Sequence, residues 1–121
     1  MKNFTKILLL ILLLTSAFSC KDDDDCCTPL LCGVENPAEN LPWLKSMIEY
    51  WKVNSTIYSY MYVLEGKYLG QTVFIASNCC PFCSSIPLIY NCEGDSIDYK
   101  NLVNITEQKV IWKPLDSLCN F

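Results

Sequence analysis

Nine cysteines in a chain of 121 residues constrain this protein more than any other feature of its sequence. One of them is Cys20. The other eight occur as two adjacent pairs and four single residues, at Cys26, Cys27, Cys32, Cys79, Cys80, Cys83, Cys92 and Cys119. Outside the cytosol, thiols at this density form disulfides, whereas inside it they serve more often as metal ligands or catalytic groups. What the chain can fold into therefore depends first on its compartment.

The first nineteen residues predict that the chain is exported. Lys2 and Lys6 supply a positive segment, residues 7–14 form an unbroken apolar run, and mostly small residues follow. This three-part layout is that of a secretory signal peptide. Because a transmembrane helix needs about 20 apolar residues, this run is too short to span a bilayer. We expect residues 1–19 to be removed as a signal peptide.

Residues 17–20 read Ala-Phe-Ser-Cys and resemble the lipobox of bacterial lipoproteins. The resemblance implies that the Cys20 sulfur receives a diacylglyceryl group and that Cys20 becomes the first residue of the mature chain. Each buried methylene of an acyl chain contributes about 0.8 kcal/mol, so two or three chains give stable attachment. The expected partner at this end of the protein is therefore a membrane, reached through the acyl chains on Cys20.

One lysine and four aspartates, residues 21–25, follow the lipobox. The run Cys-Lys-Asp-Asp resembles the export signal of Bacteroidota surface lipoproteins, which implies a lipid-anchored, surface-exposed location in the bacterial outer membrane. An acidic run also acts as a solvated spacer. We interpret residues 20–35 as a lipidated acidic tether with a cysteine-rich arm, and residues 36–121 as a single small domain.

The mature chain is acidic and contains neither histidine nor arginine. The whole chain carries a net charge of −4, and the loss of Lys2 and Lys6 with the signal peptide makes the balance more negative. We expect no nucleic-acid partner, because such binding needs clustered cations. Without histidine, neither a Ser-His-Asp mechanism nor a histidine-containing zinc site is available. We expect no catalytic residue, no metal and no cofactor.

The pattern of residues 36–121 predicts an α+β domain. Apolar residues at helical spacing indicate a helix over 41–53, with Asn40 as N-cap. Branched and aromatic residues predict strands at 56–64, 71–77, 87–91 and 109–113. The two glycines within 65–70 indicate a hairpin connection, and 99–103 is interpreted as a short helical turn. The expected fold is one N-terminal amphipathic helix packed on a small antiparallel sheet of three to five strands, held by disulfides.

Three tyrosines alternate in the first predicted strand, at Tyr58, Tyr60 and Tyr62. A period of two would place them on one face, where their rings could form a binding surface for a sugar or a protein. The alternative, which we favour, is that they pack across strands or beneath the helix.

The motif Cys80-Pro81-Phe82-Cys83 resembles a glutaredoxin redox centre. A reactive cysteine of this kind needs a helix after it, and Pro87 would interrupt that helix in its second turn. A metal half-site is the second interpretation, but a second Cys-x-x-Cys is missing. We therefore expect all eight cysteines to form disulfides that tie the N-terminal arm and the C-terminus to the central loop. Cys26 and Cys27 should have separate partners, as should Cys79 and Cys80.

Four further motifs resemble a group of small Bacteroidota surface lipoproteins that is defined by sequence alone, so the resemblance brings no activity. They are Leu-Pro-Trp-Leu-Lys (41–45), Gly-Gln-Thr-Val-Phe (70–74), the double cysteine 79–80 and Tyr-Asn-Cys-Glu-Gly (90–94). Ser96 and Ser117 lie in Asp-Ser-aliphatic triplets that resemble the O-glycosylation sites of this phylum.

These features predict a non-enzymatic surface lipoprotein that binds a protein or glycan ligand. Two alternatives remain open. One is a protease-inhibitor or immunity-type module that acts through an exposed loop over residues 78–87. The other is a thiol–disulfide oxidoreductase that acts through Cys80 and Cys83.

Overall fold

The computed structural model describes residues 30–121. The predicted signal peptide, Cys20, the acidic run, Cys26 and Cys27 lie outside these residues. Within the described part of the chain, no helix has the length and apolar character needed to cross a membrane.

The described residues form two helices and a five-stranded antiparallel sheet, which confirms the small α+β class. The helices are α1 (Pro37–Asn40) and α2 (Pro42–Asn54), and the strands are β1 (Met61–Tyr68), β2 (Gln71–Asn78), β3 (Leu88–Tyr90), β4 (Ser96–Ile97) and β5 (Thr106–Trp112). Two 3₁₀ helices cover Tyr58–Tyr60 and Tyr99–Asn104. The strand order is β4-β3-β2-β1-β5, so β2 and β1 occupy the middle of the sheet.

Helix α2 packs one face of the sheet through its apolar side chains. Leu44 and Ile48 are buried and join Val63 and Phe74 in one core cluster. The predicted N-cap at Asn40 is wrong, because Asn40 ends α1 and Leu41 precedes α2. The Asn40 side chain instead donates to the Glu35 carbonyl oxygen over 2.6 Å. A proline at the first helical position needs no N–H partner, so α2 begins without a side-chain cap.

The hairpin between β1 and β2 is tighter than the sequence predicts. The predicted connection over 65–70 is wrong, because β1 continues to Tyr68 and only Leu69 and Gly70 form the turn. Both turn residues have positive φ, as a two-residue type I′ turn requires. Gly66 lies inside the strand, where Ile105 packs directly over its Cα. This glycine therefore makes room for a side chain and does not form a bend.

Strand β2 is buried on both faces. Phe74 belongs to the cluster beneath α2, whereas Val73 and Ile75 pack with Ile89 and Ile105 in a second cluster. The 3₁₀ helix Tyr99–Asn104 covers this second face through Leu102. Alternate side chains of β2 therefore pack into two different cores.

The edges of the domain differ from the prediction in three places. Strand β4 was not predicted, and β5 begins at Thr106, three residues earlier than expected. A register shift interrupts the pairing of β5 near Glu107, whose φ is 55°. Such a bulge breaks the period of two by which a strand is recognised in a sequence. In the arm assigned to the tether, Leu31 and Val34 form a bridge and pack on the core, so the folded domain includes them.

We predict that Gly66→Ala destabilises the domain by about 1–3 kcal/mol, because the new methyl group would overlap the Ile105 side chain and approach the Thr106 carbonyl oxygen to 3.2 Å. Urea unfolding measures the change. In an Ile105→Ala background the same substitution should cost less, since the overlap is removed. Equal costs in the two backgrounds would contradict this account of Gly66.

Candidate functional site

Three disulfides join cysteines within residues 30–121: Cys32–Cys92, Cys79–Cys119 and Cys80–Cys83. The adjacent Cys79 and Cys80 have separate partners, as predicted. The first bond ties the N-terminal arm to the turn after β3, and the second ties the C-terminus to the end of β2. The third closes the Cys-x-x-Cys segment on itself.

The Cys32–Cys92 bond fixes a compact turn against helix α2. Trp43 Nε1 donates to the Cys92 carbonyl oxygen over 3.0 Å. A Cβ at Gly94 would lie 2.8 Å from Trp43 Cγ, so only a glycine allows the indole to approach this closely. The Asn91 side-chain oxygen accepts from the backbone N–H of Glu93 and of Asp95. The Asn91 side chain is therefore engaged within the turn, and Gly94 allows the turn to pack against Trp43.

The Cys79–Cys119 bond anchors the base of the next loop to the C-terminal segment. The Cys79 N–H donates to the Tyr60 carbonyl oxygen over 3.0 Å, and the Leu118 N–H donates to the Ser59 carbonyl oxygen over 2.8 Å. The Ser59 hydroxyl also donates to Asp116 Oδ2 over 2.6 Å. One covalent bond and three hydrogen bonds therefore hold the C-terminal segment and the start of the loop in place.

Residues 78–87, from the last residue of β2 to the residue before β3, are here called the cysteine loop. Asn78 stabilises it twice: its side-chain oxygen accepts from the Cys80 N–H over 3.2 Å, and its amide donates to Ser85 Oγ over 2.7 Å. Phe82 projects from the short ring that the Cys80–Cys83 bond closes, and it is 97% exposed. The loop carries no charged residue. It presents an aromatic side chain on a constrained backbone.

The surroundings of Cys80 and Cys83 differ from those of a reactive dithiol. Residues 83–87 are irregular, so the stabilisation that a helix N-terminus would give to a thiolate is not provided by the segment after Cys83. Among residues 30–121, no group of three His, Cys, Asp or Glu side chains is arranged to hold a metal ion.

A groove of about 420 Å³ lies beside the cysteine loop, and we call it the helix–loop groove. One wall is the C-terminal end of α2 with the turn that follows, and the other is the loop with the adjoining ends of β2 and β3. Its lining residues are Tyr50, Trp51, Asn54, Ser55, Thr56, Ile57, Met61, Ala76, Ser77, Asn78, Ser85, Ile86 and Leu88. The lining combines aromatic, aliphatic, amide and hydroxyl groups, and none of these residues carries a charged side chain.

The three tyrosines do not share a strand face. The strand predicted over 56–64 is wrong in its first half, because Tyr58 and Tyr60 belong to a 3₁₀ helix. Ser55 Oγ accepts from the Ile57 N–H and turns the chain after α2. The Tyr58 ring lies 6.1 Å from that of Trp112, whereas the Tyr62 ring lies 5.0 Å from that of Phe121. Tyr58 and Tyr62 therefore pack against different aromatic neighbours.

The two serines in Asp-Ser-aliphatic triplets differ in exposure. Ser96 is exposed on the edge strand β4. Ser117 is half-buried, and its hydroxyl oxygen accepts from the Cys119 N–H over 3.3 Å.

Sequence reasoning missed Phe82 as an individual residue and the helix–loop groove altogether. A signal for Phe82 existed, since it lies between two closely spaced cysteines in a proline-containing segment with no apolar period. The groove had none, because its two walls, within residues 50–57 and 76–88, are far apart in sequence.

Comparisons with protein-family models, with curated proteins and with solved structures find no match to this chain.

We predict that the two long-range disulfides contribute far more stability than the bond within the cysteine loop. The entropy of loop closure gives roughly 4 kcal/mol for the Cys32–Cys92 and Cys79–Cys119 bonds and under about 2 kcal/mol for Cys80–Cys83. The reason is sequence separation, which is 60 and 40 residues against 3. Urea unfolding of the three paired Cys→Ala variants measures the order. A Cys80→Ala/Cys83→Ala variant as unstable as the other two would refute it.

Proposed function

We propose that this protein is a non-enzymatic lipoprotein of the bacterial outer-membrane surface, whose folded domain binds a protein or glycan ligand. The observation that carries the binding role is Phe82, a 97% exposed aromatic side chain at the tip of a disulfide-closed loop. The resemblance of residues 1–25 to a lipoprotein signal with its surface-export run supports the anchored location. The four motifs within residues 41–94 support membership of the small Bacteroidota surface lipoproteins.

An exposed phenylalanine on a constrained loop is suited to act as a binding anchor. Aromatic side chains that enter a partner's pocket often supply most of the free energy of an interface. The bonds at Cys80–Cys83 and Cys79–Cys119 reduce the freedom that the loop would lose on binding. Ile86, on the same loop, is 61% exposed and extends the apolar contact. The loop can therefore bury apolar surface at little conformational cost.

The position of the cysteine loop relative to the tether also supports this role. At one end of the central hairpin, Met61 pairs with Asn78, where the cysteine loop begins. The chain enters the domain near the other half of β1, because Leu30 and Leu31 line a cleft with Glu65 and Lys67. Five residues of strand between these points correspond to about 16 Å. A lipid anchor upstream of Leu30 would therefore place the cysteine loop on the side of the domain that faces away from the membrane.

The inhibitor or immunity-type function is the second candidate, and the same observation favours it. A rigid loop that inserts Phe82 into the apolar specificity pocket of a protease or toxin would block it without any catalytic group. The two functions use the loop in the same way and differ in the consequence for the target.

We predict that Cys20→Ala abolishes membrane attachment. In the full chain expressed in a Bacteroidota host, the parent protein should partition into the detergent phase of a Triton X-114 extract, and its intact mass should include acyl chains and lack residues 1–19. The variant should stay in the aqueous phase, because no acyl chain can be attached. A second variant with residues 22–25 replaced by alanine should stay lipidated but lose accessibility to protease added to whole cells. An unlipidated parent chain would refute the proposed location.

We predict that a photo-crosslinking phenylalanine analogue at position 82 captures a surface partner. The analogue at Phe121, an exposed phenylalanine at the C-terminus, is the matched control and should give no adduct at the same size. Unlabelled protein should compete for the adduct, and unlabelled Phe82→Ala protein should fail to compete while keeping the same thermal unfolding midpoint. Equal adducts from both positions, or full competition by Phe82→Ala, would contradict the role of the loop.

A further inference from the structure

The helix–loop groove has the composition of a site for an uncharged, hydroxyl-rich ligand. Its thirteen lining residues contain two aromatic rings, two amides and four hydroxyl-bearing serine or threonine side chains, and none of them is charged. The mature part of the chain is acidic, but the lining of this groove is neutral. A charged ligand would therefore find no side chain of opposite charge among the lining residues.

Tyr50 supplies the exposed ring at the edge of the groove. It lies on α2 and is 65% exposed, whereas its neighbour Trp51 is half-buried and lies 6.0 Å from Trp112. A tyrosine ring has an apolar face and a hydroxyl at its tip. The C–H groups of a pyranose ring can lie against such a face while the phenol reaches a sugar hydroxyl.

The polar groups of the groove keep unused hydrogen-bonding capacity. Asn54 donates one amide hydrogen to the Tyr50 carbonyl oxygen over 3.0 Å, which leaves the side-chain oxygen and a second hydrogen. Ser55 Oγ accepts from the Ile57 N–H, and Ser85 Oγ accepts from the Asn78 amide, so both hydroxyl hydrogens remain as donors. The groove thus offers donors and acceptors next to an exposed ring.

These features favour a sugar over an apolar ligand. An acyl chain or an apolar peptide side chain laid in the groove would cover Asn54, Ser55 and Ser85 without replacing their bonds to water, which is unfavourable. A sugar satisfies hydroxyl and amide groups and buries its C–H face on Met61, Ile86 and the Tyr50 ring. A volume of about 420 Å³ lies within the usual size of small-ligand sites.

We propose that the helix–loop groove binds a short neutral oligosaccharide, with one sugar ring stacked on Tyr50 and its hydroxyls bonded to Asn54 and Ser85. This inference rests on the proposed binding function and gives it a chemical class of ligand. Phe82 does not line the groove, so the sugar site and the loop-tip anchor are distinct sites that meet at Ile86. A surface lipoprotein with both features would hold a glycan in the groove and contact a protein through the loop tip.

The test is NMR titration and calorimetry of the mature domain with neutral probes, namely cellotetraose, maltotetraose and chitotetraose, and with acidic tetragalacturonate. We expect at least one neutral probe to bind, with amide shifts at residues 50–57 and 84–88, and the acidic probe to bind more weakly. Tyr50→Ala should weaken binding at least about tenfold, and Tyr50→Phe should keep most of it. Tyr99→Ala is the matched control, because Tyr99 is similarly exposed and lies on the opposite face of the sheet.

A charge placed in the groove gives a second comparison. Asn54→Asp should weaken neutral-sugar binding, because it removes the amide donor. The control is Asn104→Asp, at the end of the 3₁₀ helix Tyr99–Asn104, which should leave sugar binding unchanged. The inference is overturned if none of the neutral probes shifts the groove amides, if the acidic probe binds as tightly, or if Tyr50→Ala and Tyr99→Ala behave alike. Phe82→Ala should keep sugar binding, so a failure here is distinguishable from a failure of the loop as a protein anchor.

Discussion

The burial of β2 on both faces is the constraint on which the rest of this domain depends. Phe74 is fully enclosed on the side of α2, and Ile75 is enclosed on the side of the 3₁₀ helix Tyr99–Asn104. A strand held between two apolar layers can neither slip by one residue nor tilt without exposing one of its clusters. Cys79 and Cys80 follow directly at its end, so both disulfides of the cysteine loop start from a strand that is enclosed on both faces.

Those parts of the fold that depend on a regular apolar period were predictable from sequence. Helix α2 and strand β2 follow such periods, and their bounds lie within one residue of expectation. The aromatic run before β1 misled the prediction, because strand propensity there competes with a local turn that Ser55 stabilises through the Ile57 N–H. Gly66 misled it for another reason. A glycine that admits a neighbouring side chain cannot be distinguished in sequence from one that bends the chain.

The candidate site was predictable only in part. An even number of cysteines after a predicted signal peptide indicated disulfides, and the adjacent pair indicated different partners for Cys79 and Cys80. The partners themselves depend on tertiary structure, since eight cysteines allow 105 pairings. The helix–loop groove depends on a contact between the end of α2 and a loop about 30 residues later. Its lining residues belong to five separate segments, none of which has a pattern that distinguishes a groove wall from an ordinary surface.

The residues that stabilise the fold are different from those exposed at the tip of the cysteine loop. Phe82 makes no contribution to either core cluster, and the backbone around it is fixed by the Cys80–Cys83 bond and the Asn78 side chain. A change at the tip should therefore affect the proposed binding role of the loop without altering whether the domain folds. The helix–loop groove is different, because Met61 and Ala76 at its base are also buried core residues. Its shape is tied to the stability of the sheet, whereas the chemistry of its rim, at Tyr50 and Asn54, is free to vary. The same disulfide-held scaffold can thus carry one adaptable anchor and one groove whose outline is fixed by the fold.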